Sequence, residues 1–129
     1  MQQTPNWIPA LVHFVIGGFL IPFLFGWVAS LVLSTLLLAG MAGTLVSLVV
    51  GVVALFIGVP ISARLVQGYF VIENKESVVN LATIFAVIAG VLPLFSSFGA
   101  GLMGFLIGLV VLLIEVAVFY ILSRSSFIG

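Results

Sequence analysis

Glu115 offers the most chemistry in this chain, because it stands inside an uninterrupted apolar run that carries no other charge between residues 98 and 122. A carboxyl group in such a setting must be protonated, paired or hydrated, since an isolated charge in hydrocarbon is expensive. Two residues of complementary chemistry also fall in apolar stretches, Arg64 and His13. If the helices stop where the apolar runs stop, Arg64 and Glu115 each lie about eight residues from the same end, roughly 10 to 12 Å deep, with His13 in the same layer. Three readings follow. Arg64 and Glu115 form an ion pair that fixes helix register. Alternatively, Glu115 titrates or binds an ion while Arg64 tunes it and His13 relays or gates. In the third, Arg64 snorkels to the interface beside Gln67 and leaves Glu115 alone.

Most other chemistries are excluded by composition. The chain has no cysteine and no aspartate, hence no thiol nucleophile, no disulfide framework and no acidic ligand set to join the single histidine in a metal site. His13 is expected to be a hydrogen-bonded interior histidine, with no metal and no cofactor. No glycine-flanked serine elbow or phosphate-cradling loop occurs, so no catalytic residues are assigned and the chain is expected not to be an enzyme. The formal net charge is zero, which provides no basic footprint for nucleic acid.

The elements that must position these residues are membrane spans. Hydrophobic residues make up 64% of the chain, and Met1 to Ala63 contains no Lys, Arg, Asp or Glu. A water-soluble domain cannot cover its surface with such a sequence. The segment before Trp7 has no positive charge and the apolar stretch after it is long, so no cleaved signal peptide is expected. The length leaves room for a single transmembrane domain over residues 1–129 and no folded soluble one. The apolar runs give an all-α bundle of four transmembrane helices, at about 7–38, 44–72, 78–94 and 98–122. The first is too long to be straight and is expected to kink near Pro22, which lacks a backbone donor. A half-span over 28–38 is the alternative to a single kinked helix.

Residues 40–43 and 95–99 read as uncharged turns, and 73–77 as the one charged loop, with Asn74 or Ser77 capping the third helix. Four spans put that loop on the same side as both termini. Lys75, Arg124 and the approach of Arg64 then share one face, which the positive-inside rule makes cytoplasmic. Trp7, Tyr69 and Tyr120 fall at that interface, as aromatic anchors do.

Helix association in lipid relies on close packing through small residues. Ser47, Gly51, Ala54 and Gly58 form one stripe on the second span, and Gly101, Gly104 and Gly108 another on the fourth; a further step of seven from Gly108 reaches Glu115. The leading expectation is a non-enzymatic, helix-packing subunit of a homo-oligomer or of a larger membrane complex, partnered by the lipid bilayer and other membrane subunits. The competing expectation is a small oligomeric channel or proton-coupled transporter that uses Glu115 with Arg64 and His13. No family is assigned from the sequence.

Overall fold

The computed structural model describes residues 5–36, 40–96, 99 and 101–128; residues 38 and 98, at the expected edges of the first and fourth spans, lie outside them. The described chain is all-helical. Helix α1 (Trp7–His13) passes directly into a π-helical segment (Phe14–Leu20) and then into α2 (Ile21–Leu36), so the three form one continuous first span. Helices α3 (Gly40–Tyr69), α4 (Lys75–Ser96) and α5 (Gly101–Phe127) follow. Four helices are thus long and apolar enough to cross a membrane, and they make this a multi-pass membrane chain. Residues 28–36 continue the first span rather than forming a separate half-span.

The irregularity expected at Pro22 takes a specific form. The Ile21 N–H donates to Ile16 O in the wide i−5 register, and the next residue, Pro22, has no N–H to give. A widened turn keeps the proline ring off the preceding carbonyls without breaking the helix. Pro60 and Pro93 are likewise carried inside α3 and α4, because in lipid a helix that stops leaves backbone groups with no partner. The same constraint draws Gly40 to Gly43 into α3, where the sequence reads as a turn. At the charged loop, Asn74 is the cap: its Oδ1 accepts from the Ser77 N–H at 3.0 Å, and Glu76 sits in the first turn of α4, where the helix dipole favours an acid.

The first span packs on α3 and α4, and α5 packs on the same two helices, so the four stand in a square with the first span diagonal to α5. Contacts fix the directions. Gly17 faces Ser62 while Ile21 faces Gly58, so the first span and α3 are antiparallel. Glu115 lies over Gly51 and Ser126 meets Gln67, so α3 and α5 are parallel. Residues near both ends of the described chain therefore lie at one end of the bundle, together with the loop between α3 and α4.

Burial is strongly polarised along this axis. Among the described residues, every buried one lies toward that terminal end: up to Gly17 in the first span, from Ala54 in α3, up to Ala82 in α4 and from Phe119 in α5. Val59, Val66, Val78, Val79, Phe119 and Phe127 form the core there. Beyond that level the described side chains are half-buried or exposed, as with Val49 and Leu102. Among the described side chains, full burial is confined to the terminal end of the bundle.

Candidate functional site

The terminal end is organised around His13. Its ring is fully buried, and both nitrogens are engaged: Nδ1 lies 2.8 Å from Ser62 Oγ and Nε2 lies 2.9 Å from Ser123 Oγ. The Ser62 hydroxyl also donates to the His13 backbone carbonyl at 2.9 Å. A serine has one proton to give. Because that proton goes to the carbonyl, Ser62 Oγ must accept from Nδ1–H, and in the neutral imidazole Nε2 is then an acceptor for the Ser123 hydroxyl. The imidazole is then the Nδ1–H tautomer, an assignment made by hydrogen-bond logic. Phe119 packs on the ring at 5.4 Å between centroids, and Phe127 meets it edge-on at 4.8 Å. Among the described residues, no buried side-chain nitrogen or oxygen lacks a partner.

A serine hydroxyl donating to a histidine whose other nitrogen is oriented by a third group resembles an activated nucleophile. Here the arrangement has no room to act as one. His13, Ser62 and Ser123 are all fully buried, so no substrate carbonyl can reach Ser123. The three residues join three helices, and His13 spans the diagonal of the square.

Glu115 occupies a different place. A chamber of about 250 Å³ lies among all four helices, just beyond the His13 layer. Its walls are Phe14, Gly18, Phe19 and Pro22 from the first span, Gly51 and Leu55 from α3, Ala86, Ala89, Gly90 and Pro93 from α4, and Leu112, Glu115, Val116 and Phe119 from α5. Glu115 is the one ionisable group in that lining. Two features make space for its carboxylate. Gly51 has no side chain where a Cβ would stand 2.9 Å from Glu115 Oε1, and the π segment and Pro22 shape the wall opposite. Gly90 leaves room for Leu112 in the same way. A second recess of about 230 Å³ runs between α4 and α5 on the other side of the carboxyl, lined by Gly90, Pro93, Leu94, Gly108, Val111, Leu112 and Glu115. Phe119 and Phe14, whose rings meet edge-on at 6.3 Å, separate the chamber from His13.

Arg64 is not part of this site. The expected shared depth with Glu115 is corrected by the helix ends. α5 does not stop at residue 122 but runs on through Ser123, Arg124, Ser125 and Ser126 to Phe127, which places Glu115 about 18 Å from its end. The carboxyl lies at the level of Gly51, and Arg64 is farther along α3 by about 20 Å at 1.5 Å per residue. Arg64 is exposed and points away from the face that carries Ser62, two residues earlier. Arg124 Nη1 instead pairs with Glu76 Oε1 at 3.6 Å, and Arg124 also donates to Tyr120 Oη at 3.5 Å. Both partners are largely exposed, so this bridge contributes little to stability. The expected layer of three is therefore divided: Glu115 faces the chamber, His13 sits behind Phe119, and Arg64 lies on the outer surface.

The small residues also divide. Gly51 faces Glu115, Ala54 is fully buried, and Gly58 meets Ile21 and the Gly17 carbonyl. Ser47 is exposed. On α5, Gly108 lines the recess beside Glu115, Gly104 is half-buried, and Gly101 starts the helix at φ 87° with open space around it. The left-handed backbone is what requires glycine at Gly101. Sequence reasoning missed Ser62 and Ser123, because two hydroxyls in hydrophobic surroundings give no periodic signal. Gly17 and Gly58 at one crossing were legible only as small residues.

The architecture and site define a multi-pass helical membrane chain with one acid in an apolar chamber. Compared with known proteins, the chain matches no family model, no curated protein and no solved structure.

Proposed function

We propose that this chain is a small proton-coupled membrane carrier in which Glu115 alternates between holding a proton and releasing it to admit a solute. The observation that supports this reading is the placement of the carboxyl at the wall of a chamber, with no basic residue in the lining. An unpaired acid in apolar surroundings is costly, and intramembrane acids are kept where they serve ion or proton traffic. The distribution of burial adds to the reading: among the described side chains, full burial is confined to the end that holds the His13 layer, and the Glu115 carboxyl lies beyond that layer. By the positive-inside rule the end that carries the termini and the His13 layer is the cytoplasmic one.

In proteoliposomes given outward gradients of small organic amines, organic acids or neutral polar solutes in turn, at least one class should drive proton movement through the wild-type chain. Glu115→Gln should abolish that movement while leaving the bundle folded, because the amide keeps the shape but cannot release a proton. Undiminished coupling in the Gln variant overturns the reading.

A second reading, that of a helix-packing subunit in a homo-oligomer or larger complex, is favoured by Ser47 and Gly26, small residues left exposed among the described residues. It predicts stoichiometric recovery with a second copy or with larger membrane proteins by native mass spectrometry after mild solubilisation. A monodisperse monomer retaining solute-driven proton movement would rule it out.

A further inference from the structure

The chamber lining constrains what can occupy it. We infer that it takes a small lipophilic monovalent organic cation, an alkyl- or aryl-ammonium, bound in exchange for the Glu115 proton; this deepens the carrier reading and rests on it.

Glu115 in its ionised form needs a counter-charge, and the protein provides none nearby. The first span, α3 and α4 present no titratable group to the chamber, and α5 presents only Glu115. His13 lies behind Phe119 with both nitrogens committed to serines, and Arg64 and Arg124 belong to other levels. Compensation must therefore come from a proton or from a bound cation. An inorganic ion is a poor fit. Hard cations require a shell of several oxygens, and here the lining side chains supply only the Glu115 carboxylate, which leaves backbone carbonyls such as those of Gly18 and Ala89, four residues before Pro22 and Pro93, to complete any shell. Among the described residues, no three metal-ligating side chains come together.

An organic ammonium suits the same walls. Its charge is spread over methyl or methylene groups that need no oxygen shell, and those groups can rest on Leu55, Leu112 and Val116. Phe14, Phe19 and Phe119 contribute aromatic side chains to the lining, and aromatic rings attract quaternary ammonium groups within about 6 Å of their centroids. A volume of about 250 Å³ lies just under the roughly 300 to 1,000 Å³ of pockets for drug-sized ligands, which favours a small cation. The exchange balances: the carboxylic acid releases one proton to water, the cation takes its place, and the net charge of the chamber is unchanged.

The test uses the full chain in lipid nanodiscs, titrated calorimetrically with benzyltrimethylammonium in two buffers of different ionisation enthalpy. Where Glu115 starts protonated, one proton should be released per cation bound, and affinity should rise about tenfold per pH unit, as one-proton linkage requires. Glu115→Gln should abolish binding and Glu115→Asp should retain the proton release. Neopentylbenzene, in which carbon replaces the charged nitrogen, should bind much more weakly. Absence of saturable binding, binding indifferent to pH or to Glu115→Gln, or equal binding of the neutral isostere would each overturn the inference. If organic acids or neutral solutes drive Glu115-dependent proton movement while the ammonium does not bind, the carrier reading stands and the cation assignment falls. If neither coupling nor binding is found, both fall.

Discussion

His13→Ala should strongly lower the stability of the bundle. The imidazole is fully buried, and its removal leaves the Ser123 hydroxyl without an acceptor and Ser62 Oγ without its Nδ1–H donor. Interhelical hydrogen bonds in membranes average about 0.6 kcal/mol and reach about 1.7. The larger cost is the void beside Phe119 and Phe127; truncating a large buried side chain costs about 2 to 5 kcal/mol. Together these amount to a loss of roughly 3 to 6 kcal/mol, comparable with the whole stability of many domains. Reversible unfolding in mixed micelles measures it. The triple variant His13→Leu, Ser62→Ala, Ser123→Ala separates the terms, because removing all partners at once leaves no orphaned polar group. It should recover more than half of the loss. If His13→Ala unfolds at the wild-type detergent fraction, the histidine layer does not hold the terminal end together.

The spans were legible because the bilayer forbids what would obscure them. Six charged residues confined to a few positions mark where helices can leave hydrocarbon, and Asn74 announces the start of α4 through its cap. The errors lie at polar ends that look like exits. Ser123, Arg124 and Ser126 read as the end of the fourth span, yet Ser123 turns inward to His13, Arg124 reaches Glu76, and Ser126 O accepts from Gln67 Nε2 at 3.3 Å. Each polar group found a partner along a helix that simply continued. Misplacing that end shifted the depth of Glu115 by more than a turn and created the apparent pairing with Arg64.

The site was less legible because its parts are defined by relations between helices. Glu115 was conspicuous alone, but its chamber depends on the absence of a side chain at Gly51 and on the widened turn before Pro22. Gly51 and Pro22 were each visible in the sequence, as a small residue and as an expected kink, but not that the two border the same carboxyl. The histidine layer is the harder case: His13 lies 49 residues from Ser62 and 110 from Ser123, and serines are common enough that no spacing singles these two out.

Gly17→Val should part the first span from α3 and undo the histidine layer with it. A Cβ at Gly17 would stand 2.9 Å from Ser62 Cβ and 3.3 Å from Gly58 O. Neither atom is the free end of a flexible side chain, so the helices must separate. Separation by even a fraction of an ångström acts on the bond next door, since Ser62 Oγ is the group that both receives Nδ1–H and donates to the His13 carbonyl. The expected cost is at least the roughly 1 to 3 kcal/mol of an overpacked core, with the weakened serine contacts added. Gly58→Ala meets a similar obstacle from the other side, at 3.0 Å from Ile21 Cγ2 and 3.2 Å from Gly17 O. The contrast is Gly26→Ala and Gly68→Ala, where nothing lies within 4 Å of the new methyl; there the gain in helix propensity, up to about 1 kcal/mol, is unopposed. Unfolding of the four variants in mixed micelles should therefore sort them into two destabilised and two neutral or stabilised. Equal behaviour of Gly17→Val and Gly26→Ala would mean that the first span and α3 do not meet at these glycines, and the terminal end of the bundle would need a different seam.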